Sequence, residues 1–256
     1  MKILAIGDFH GKFPKNLSRI VREKKIDVLV SNGDYLPFAY RKLWFKYCYG
    51  KENFELWQVI GKKKYKQLIF NEFRNGKNIL ERMNKLPIPL ITVLGNVDYP
   101  WPDDAIDIRK PKGKNYWDFD WKRNFAFRNL IKRYKNIRLI DYNFTKIGKF
   151  IFIGARTHSA PGKVKSFGFR SHKKILERLF RKFNKENKEE KVIFISHNVP
   201  YNTKLDKITS KEAHAKIKGK HYGSKLVRRI IDKYGPVLAI GGHIHESRGK
   251  QKLGGT

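Results

Sequence analysis

The sequence predicts an α/β protein whose strands build a layered sheet core. Short apolar segments rich in β-branched residues alternate with stretches whose apolar residues recur every three or four positions. Strands that alternate with helices in this way are typical of α/β architecture. The predicted strands are KILAIG, DVLVSNG, PLITVLG, KFIFIGA, KVIFISH and PVLAIGG. The predicted helices are Pro14–Lys25, Ser171–Glu190 and Gly223–Tyr234.

Two of these helices show a clear apolar face. Leu17, Ile20 and Val21 share one side of the first helix, and the same spacing recurs in the last helix. There the apolar residues are Leu226, Ile230 and Ile231. We expect both faces to be buried against a sheet.

The segment 36–87 differs from the rest of the chain because it is long, aromatic and basic. We interpret it as a helical insertion between two core strands. Its aromatic residues could form a packing core or a surface that stacks nucleic-acid bases, and the first interpretation is the more common outcome. The segment 105–134 is expected to begin as a loop and to continue as a helix. Because no linker or repeat divides the chain, we predict a single domain over residues 1–256 with this one insertion.

Composition indicates a globular protein with an excess of positive charge. The chain has 57 Lys and Arg residues against 23 Asp and Glu residues, which gives a net charge of +34. Such a charge attracts polyanions, but Lys, Asn, Ile and Phe are also abundant throughout, as an AT-rich genome would encode. No apolar run is long enough to cross a membrane. A single cysteine, Cys48, and the absence of a signal-peptide pattern favour a cytoplasmic location.

Potential metal ligands follow five of the apolar segments. The motifs are Asp8-Phe9-His10-Gly11, Gly33-Asp34, Gly95-Asn96-Val97-Asp98, Ser196-His197 and Gly242-His243-Ile244-His245. Loops at the carboxyl ends of strands in an α/β sheet converge on one crevice, so these side chains can meet in space. Carboxylates, imidazoles and an amide together suit borderline divalent metals such as Mn, Fe, Ni, Zn or Co. Each motif alone is weak, since a Gly-Asp pair is usually a turn, whereas the ordered set is specific.

The series GDFHG, GDY, GNVD, SHNVP and GGHIHE resembles the calcineurin-like metallophosphoesterase superfamily, and the stretch from His197 to Ser247 resembles its Icc-related phosphoesterases. The resemblance covers Met1 to about Gly249 outside the insertion. It implies a four-layer αββα sandwich of two mixed sheets and a centre of two divalent metal ions. It also implies in-line attack of an activated water on phosphorus. The implied ligands are Asp8, His10 and His245 for one metal, Asn96, His197 and His243 for the other, and Asp34 as the bridge.

Two departures from the superfamily pattern stand out. The asparagine is often followed by a histidine that acts as general acid or stabilises the transition state, but here Val97 occupies that position. Asp98 would then either orient His197 or another ligand, or cap the local backbone. We therefore expect Asp34, Asn96, His197 and Asp98 to be the catalytic residues. The pattern also usually continues past Ser247 with a strand and an Asn-Pro-Gly turn that this sequence lacks.

Further candidates lie outside the motifs. His158 follows a predicted strand, and His221 precedes the N-terminus of a predicted helix, so both are candidates for substrate contact. Arg156 and Arg170 could clamp a phosphate. His172 and His214 lie in polar segments and are expected to be solvated.

The function that the sequence favours is metal-dependent hydrolysis of phosphoesters, by a phosphodiesterase or phosphatase acting on nucleotides or nucleic acid. The first alternative is a basic, non-catalytic module that binds nucleic acid or protein on the same fold. The second is a nucleic-acid-binding protein with structural metals. The presence of all seven implied ligands favours catalysis. Composition and motifs leave the substrate, the metals and the oligomeric state open.

Overall fold

The computed structural model describes residues 1–49, 51, 54–99, 117–156, 162–210 and 217–256. Within them, strands and helices alternate as the sequence predicts. The strands are β1 (Ile3–Ile6), β2 (Val28–Ser31), β3 (Leu90–Thr92), β4 (Ile137–Leu139), β5 (Phe144–Ile147), β6 (Phe150–Ala155), β7 (Val192–Asn198) and β8 (Leu238–Gly242). The helices are α1 (Leu17–Glu23), α2 (Arg41–Tyr47), α3 (Leu56–Ile60), α4 (Lys62–Asn84), α5 (Asp118–Ile131), α6 (Phe167–Lys182), α7 (Asn184–Lys188) and α8 (Lys225–Tyr234).

The strands form two four-stranded sheets, one from each half of the chain. The first has the order β1-β2-β3-β4 and the second the order β5-β6-β7-β8. Every pairing in the first sheet is parallel, whereas β5 runs antiparallel to β6 in the second. The predicted α/β fold with two sheets and flanking helices is confirmed, with only the second sheet mixed in direction.

Three buried apolar clusters show that the sheets and helices form four layers. Leu29 packs in a cluster with α1, α4 and α5, while its neighbour Val30 lies in a cluster between the two sheets. In β7, Ile195 shares that central cluster, whereas Phe194 packs with α6 and α8. Successive side chains of a strand point to opposite faces, so strands buried on both faces read as continuous apolar runs. These runs were the basis of the strand predictions.

The helix α8 buries the face that its sequence predicts, but α1 does so only in part. Leu226, Ile230 and Ile231 are all buried in α8. In α1, Leu17 and Val21 are buried, but Ile20 is 38% exposed, so the prediction for Ile20 was wrong. Because α1 has only seven residues, it buries one pair of side chains four positions apart, those of Leu17 and Val21.

The segment 36–87, which the sequence predicts to be an insertion, carries α2, α3 and α4 around a small core of its own residues, against which Trp117 and Phe119 also pack. Tyr40, Cys48, Leu56, Tyr65 and Ile69 form a buried cluster against which further aromatic rings pack. Part of the aromatic content of this segment therefore serves packing. The predicted helix after residue 105 corresponds to α5, and the loop expected before Trp117 lies outside the described residues.

Two short strands, β4 and β5, were not predicted from the sequence. β4 has only three residues and β5 only four. Each contains a charged residue, Arg138 in β4 and Lys146 in β5, which interrupts the apolar pattern. Among the helices that the structure describes, none is long and apolar enough to cross a membrane.

The loop that connects β7 to α8 is organised by the buried carboxylate of Asp206. Its oxygens accept hydrogen bonds from the backbone N–H groups of Asn202 (3.0 Å), Thr203 (2.8 Å) and Gly223 (2.9 Å). The His221 Nδ1 atom lies 2.6 Å from Asp206 Oδ1. Burial alone would raise the pKa of Asp206, but these hydrogen bonds outweigh it, and the pKa lies below its usual 3.8. The loop is thus fixed by one ionised side chain.

Asp206→Asn is expected to lower the free energy of unfolding by about 3 kcal/mol at pH 7, because hydrogen bonds to a charged group are the strong ones. A depressed carboxyl pKa stabilises the fold above the ordinary value of 3.8, and this stabilisation is lost as the pH falls through the folded-state pKa. In guanidinium unfolding curves the difference from wild type should therefore stay constant from pH 7 down to the ordinary pKa of 3.8 and shrink at lower pH. Asp232→Asn, at an exposed aspartate paired with Arg228, is the matched control, with an effect below ~1 kcal/mol. Equal destabilisation by both variants would contradict the role of Asp206.

Candidate metal centre

The motif side chains lie at the carboxyl ends of neighbouring strands in both sheets. In the first sheet Asp8 and His10 follow β1, Asp34 follows β2, and Asn96 follows β3. In the second sheet His197 lies near the end of β7, and His243 and His245 follow β8. Because these strands are adjacent and parallel within each sheet, the ligand motifs meet at one edge of the sandwich, as the sequence predicts.

One group of potential ligands is formed by Asp8, His10 and His245. Each offers one ligand atom, and these atoms all lie within 4.8 Å of one another. The Nε2 atoms of His10 and His245 are 3.1 Å apart, and His245 Nε2 lies 3.9 Å from Asp8 Oδ1. Two imidazole nitrogens this close can share only one proton, so at least one of them presents a lone pair.

A second group is formed by Asn96, His197 and His243. Asn96 Oδ1 lies 2.8 Å from His197 Nε2 and 2.8 Å from His243 Nδ1. The two imidazole nitrogens are themselves 3.2 Å apart. An amide oxygen and two imidazole nitrogens thus converge on one point.

Asp34 lies between the two groups. Its Oδ2 atom is 3.6 Å from His10 Nε2 and 3.7 Å from His197 Nε2. Its Oδ1 atom accepts a hydrogen bond from the backbone N–H of Val97 at 3.0 Å. The carboxylate of Asp34 is therefore held by one oxygen and offers the other to both groups. Asp8 lies near the second group as well, since its carboxylate is also within 4.8 Å of ligand atoms on Asp34 and His197.

Three histidines of the site, His10, His197 and His243, are held in the neutral form that binds metals. His197 Nδ1 lies 2.7 Å from the carbonyl oxygen of Asn32, which can only accept, so Nδ1 carries the proton and Nε2 presents a lone pair. Burial lowers the pKa of His197, and it lowers the pKa of His10 to about 4 and that of His243 to about 3, with neighbouring histidines adding to both shifts. Neutral imidazoles, carboxylates and an amide oxygen directed at common points fit divalent metal ions.

The backbone at this edge is unusual. Asp8, His10, Asp34 and His243 all have positive φ angles, of 50°, 42°, 58° and 76°. Such angles are uncommon for residues other than glycine and concentrate at functional sites. The directions of Asp8 and His10 are therefore set by left-handed turns and not by the alternation of side chains along an extended strand.

Asp98 holds the backbone around Asp34. Its Oδ2 atom accepts from the N–H groups of Asp34 (2.7 Å) and Gly95 (3.1 Å). Its Oδ1 atom accepts from the N–H groups of Tyr35 (2.8 Å) and Leu36 (3.1 Å). Burial, together with the charge of Asp34, raises the pKa of Asp98 to about 7. Of the two roles open from the sequence, these contacts favour the backbone cap.

Asn32 is a member of the site that the motifs did not reveal. Besides its carbonyl contact with His197, its side chain is buried between Gly7 and Gly242, where a Cβ atom on either glycine would overlap the Asn32 amide. A Cβ atom at Gly242 would also lie 2.6 Å from Asp8 Oδ2. The sequence feature that could have identified Asn32 is an amide side chain at the end of a fully buried strand, directly before Gly33 and Asp34.

The residues predicted to contact substrate have mixed positions. Arg156 is buried, with its guanidinium 3.7 Å from Asp141 Oδ2 and over the ring of Tyr99 at 4.1 Å. His221 is bound to Asp206 and remains partly exposed. His158 lies outside the described residues. Substrate contact by these three residues remains a prediction.

Two of the remaining candidates can also be located. Arg170 is exposed and donates to the carbonyl oxygen of Lys165. His172 was expected to be solvated, but this was wrong: it is buried on the inner face of α6 and stacks on Tyr142, with ring centroids 4.0 Å apart. The polar neighbours of His172 in sequence lie on the other side of the helix, which misled the prediction. His214 lies outside the described residues.

Comparisons with known proteins agree with this geometry. The model of the family described as calcineurin-like phosphoesterase matches residues 1–247. No curated protein matches the sequence. One crystal structure superimposes with a TM-score of 0.60 at 20% identity, covering 99% of this chain and 87% of that chain, which supports the fold alone. The family match spans nearly the whole sequence and contains every motif of the metal centre, so the chain belongs to the calcineurin-like phosphoesterases.

Proposed function

We propose that this protein hydrolyses phosphodiesters of nucleotides or nucleic acid with two divalent metal ions. Membership of the family implies metal-dependent hydrolysis of phosphoesters, and the family typically uses a binuclear divalent metal centre. The observation that carries the proposal is the position of Asp34 Oδ2, which lies 3.6 Å and 3.7 Å from imidazole nitrogens of the two ligand groups.

Each ligand group would hold one metal ion. Asp8, His10 and His245 form the first group, Asn96, His197 and His243 form the second, and Asp34 bridges them. When bound, the metals would supply Lewis acidity and a water of lowered pKa at phosphorus. The protein holds the imidazoles of His10, His197 and His243 neutral, and it fixes the bridging carboxylate through the N–H group of Val97. Val97 has no proton to give to a leaving group, which favours diesters with good leaving groups over poor ones.

The preference for nucleotides or nucleic acid is supported by charge. A net charge of +34 raises the local concentration of polyanions and speeds their association. The charge is spread along the chain, so it favours an extended anion over a single small one.

The test is metal-dependent turnover of bis-p-nitrophenyl phosphate and p-nitrophenyl phosphate. The purified chain is stripped of metal and assayed with Mn²⁺, Ni²⁺, Zn²⁺ or Mg²⁺, with Asp34→Ala prepared in parallel to expose any contaminating phosphatase. We expect turnover that returns only with added metal, is higher on the diester and is absent from the variant. A chain that neither binds metal nor turns over either substrate would overturn the proposal and favour the non-catalytic interaction module.

A further inference from the structure

The helix α2 and the residues directly after it carry an exposed aromatic patch that the protein's own core leaves uncovered. We define the α2 patch as Arg41, Phe45 and Tyr49. Phe45 is 42% exposed and Tyr49 is 41% exposed, and their ring centroids lie 5.0 Å apart. The Arg41 guanidinium lies 5.4 Å from the centre of the Phe45 ring. Exposed aromatic rings interleaved with cations are typical of surfaces that bind single-stranded nucleic acid.

The α2 patch is tied to the metal centre by a rigid connection. α2 begins at Arg41, and the chain between Asp34 and Arg41 can span at most about 25 Å. Asp98 binds the start of this connection through Asp34, Tyr35 and Leu36. The buried carboxylate of Glu72 binds its later part, accepting from the N–H groups of Phe38 at 2.6 Å and Ala39 at 2.9 Å.

The α2 patch therefore lies on the segment that leads directly out of the metal centre. Arg41 is separated from Asp34 by only six residues, and buried carboxylates on two other segments hold both halves of this connection. A nucleic-acid strand bound on the patch is thus kept close to the ligands.

We propose that the α2 patch binds a single-stranded nucleic acid, with bases stacked on Phe45 and Tyr49 and a backbone phosphate held by Arg41, so that the strand can reach the metal centre. This inference rests on the proposed function and names its substrate class. Lys42 and Lys46 on the same helix, together with the net charge of +34, complement a polyanion. The bases of a duplex are already stacked on one another, so a surface of exposed rings selects an unpaired strand.

The test separates stacking from charge. Fluorescence anisotropy is measured on the full chain with two labelled phosphorothioate DNA strands of about ten nucleotides, which span the usual site size and resist hydrolysis. One strand carries bases and the other is abasic, with the same charge. Base stacking on aromatic side chains predicts that wild type binds the base-containing strand at least ~10-fold more tightly. In Phe45→Ala/Tyr49→Ala this ratio should fall below ~3-fold, whereas Arg41→Gln should weaken both strands alike.

The matched control is Phe70→Ala, which removes a ring that is 59% exposed on α4 and lies against Phe119. We expect this variant to keep the wild-type ratio. Equal affinity of wild type for both strands would overturn the inference, as would an unchanged ratio in the double variant. Binding does not depend on turnover, so a binding ratio in a chain that neither binds metal nor hydrolyses either p-nitrophenyl substrate would overturn the proposed function alone. Metal-dependent hydrolysis together with equal affinity for the base-containing and abasic strands would overturn the stacking site alone.

Discussion

Asp34→Asn is expected to reduce turnover at least ~1000-fold while leaving the metal-free protein at least as stable as wild type. The loss of activity corresponds to about 4 kcal/mol of transition-state stabilisation, within the range that a metal centre supplies. Asparagine keeps an oxygen for the Val97 N–H group but removes the charge that faces His10 and His197 at 3.6 Å and 3.7 Å. Metal retention should fall with turnover, which metal analysis after gel filtration would show.

The stability expectation follows from the burial of Asp34. Burial, with a further contribution from Asp8, raises the pKa of the metal-free Asp34 carboxyl to about 8. The stabilisation from the neutral carboxyl is complete below its ordinary pKa of 3.8 and is lost as the pH rises through about 8. Asparagine is neutral at every pH. As the pH rises from 3.8 to about 8, metal-free wild type should therefore lose stability relative to metal-free Asp34→Asn.

Thermal unfolding in the presence of a chelator, and then with added Mn²⁺, measures both effects. Wild type should gain stability on adding metal, because a ligand that binds only the folded state raises the free energy of unfolding. Asp34→Asn should gain much less. If metal-free Asp34→Asn were less stable than metal-free wild type at pH 8, contacts other than metal ions would stabilise the charge of the Asp34 carboxylate.

The sequence allowed the ligand set to be predicted because each ligand follows an apolar strand buried on both faces. Val28, Leu29 and Val30 identify β2, and the rules of parallel sheets then place Asp34 at the ligand edge. This inference needs only local pattern and strand direction. The resemblance added the division into two groups, which agrees with the distances around Asn96 and His245.

What could not be predicted depends on contacts between distant segments. Asp98 and Asp34 are 64 positions apart, so the sequence could not show that one caps the backbone of the other. The tautomer of His197 is fixed by a carbonyl 165 positions away, at Asn32. The position of the α2 patch likewise depends on Glu72, on a helix that follows it in the chain. Composition alone could not separate its exposed rings from the buried rings of the insertion core.

Asp98→Ala is expected to be the most damaging substitution outside the ligands. It would leave four buried N–H groups without their acceptor, those of Asp34, Tyr35, Leu36 and Gly95. Unsatisfied buried donors cost about 1–3 kcal/mol each, so we expect a total loss of about 4 kcal/mol or more in the free energy of unfolding. The left-handed backbone of Asp34 (φ 58°) would lose the contacts that hold it.

The same substitution should lower kcat at saturating metal by about 100-fold, because a displacement of about 1 Å in a positioning group can have this effect. Asp98→Asn should fall between wild type and Asp98→Ala, since one amide oxygen can still accept while the amide NH₂ faces donors. Asp27→Ala is the matched control, because the Asp27 carboxylate is exposed and accepts one backbone N–H, that of Lys2.

Urea unfolding and turnover per folded molecule separate two roles of Asp98. If stability fell but kcat stayed at the wild-type value, Asp98 would support the fold without positioning Asp34. A parallel fall in both would show that the backbone clamp also sets the geometry of the metal bridge.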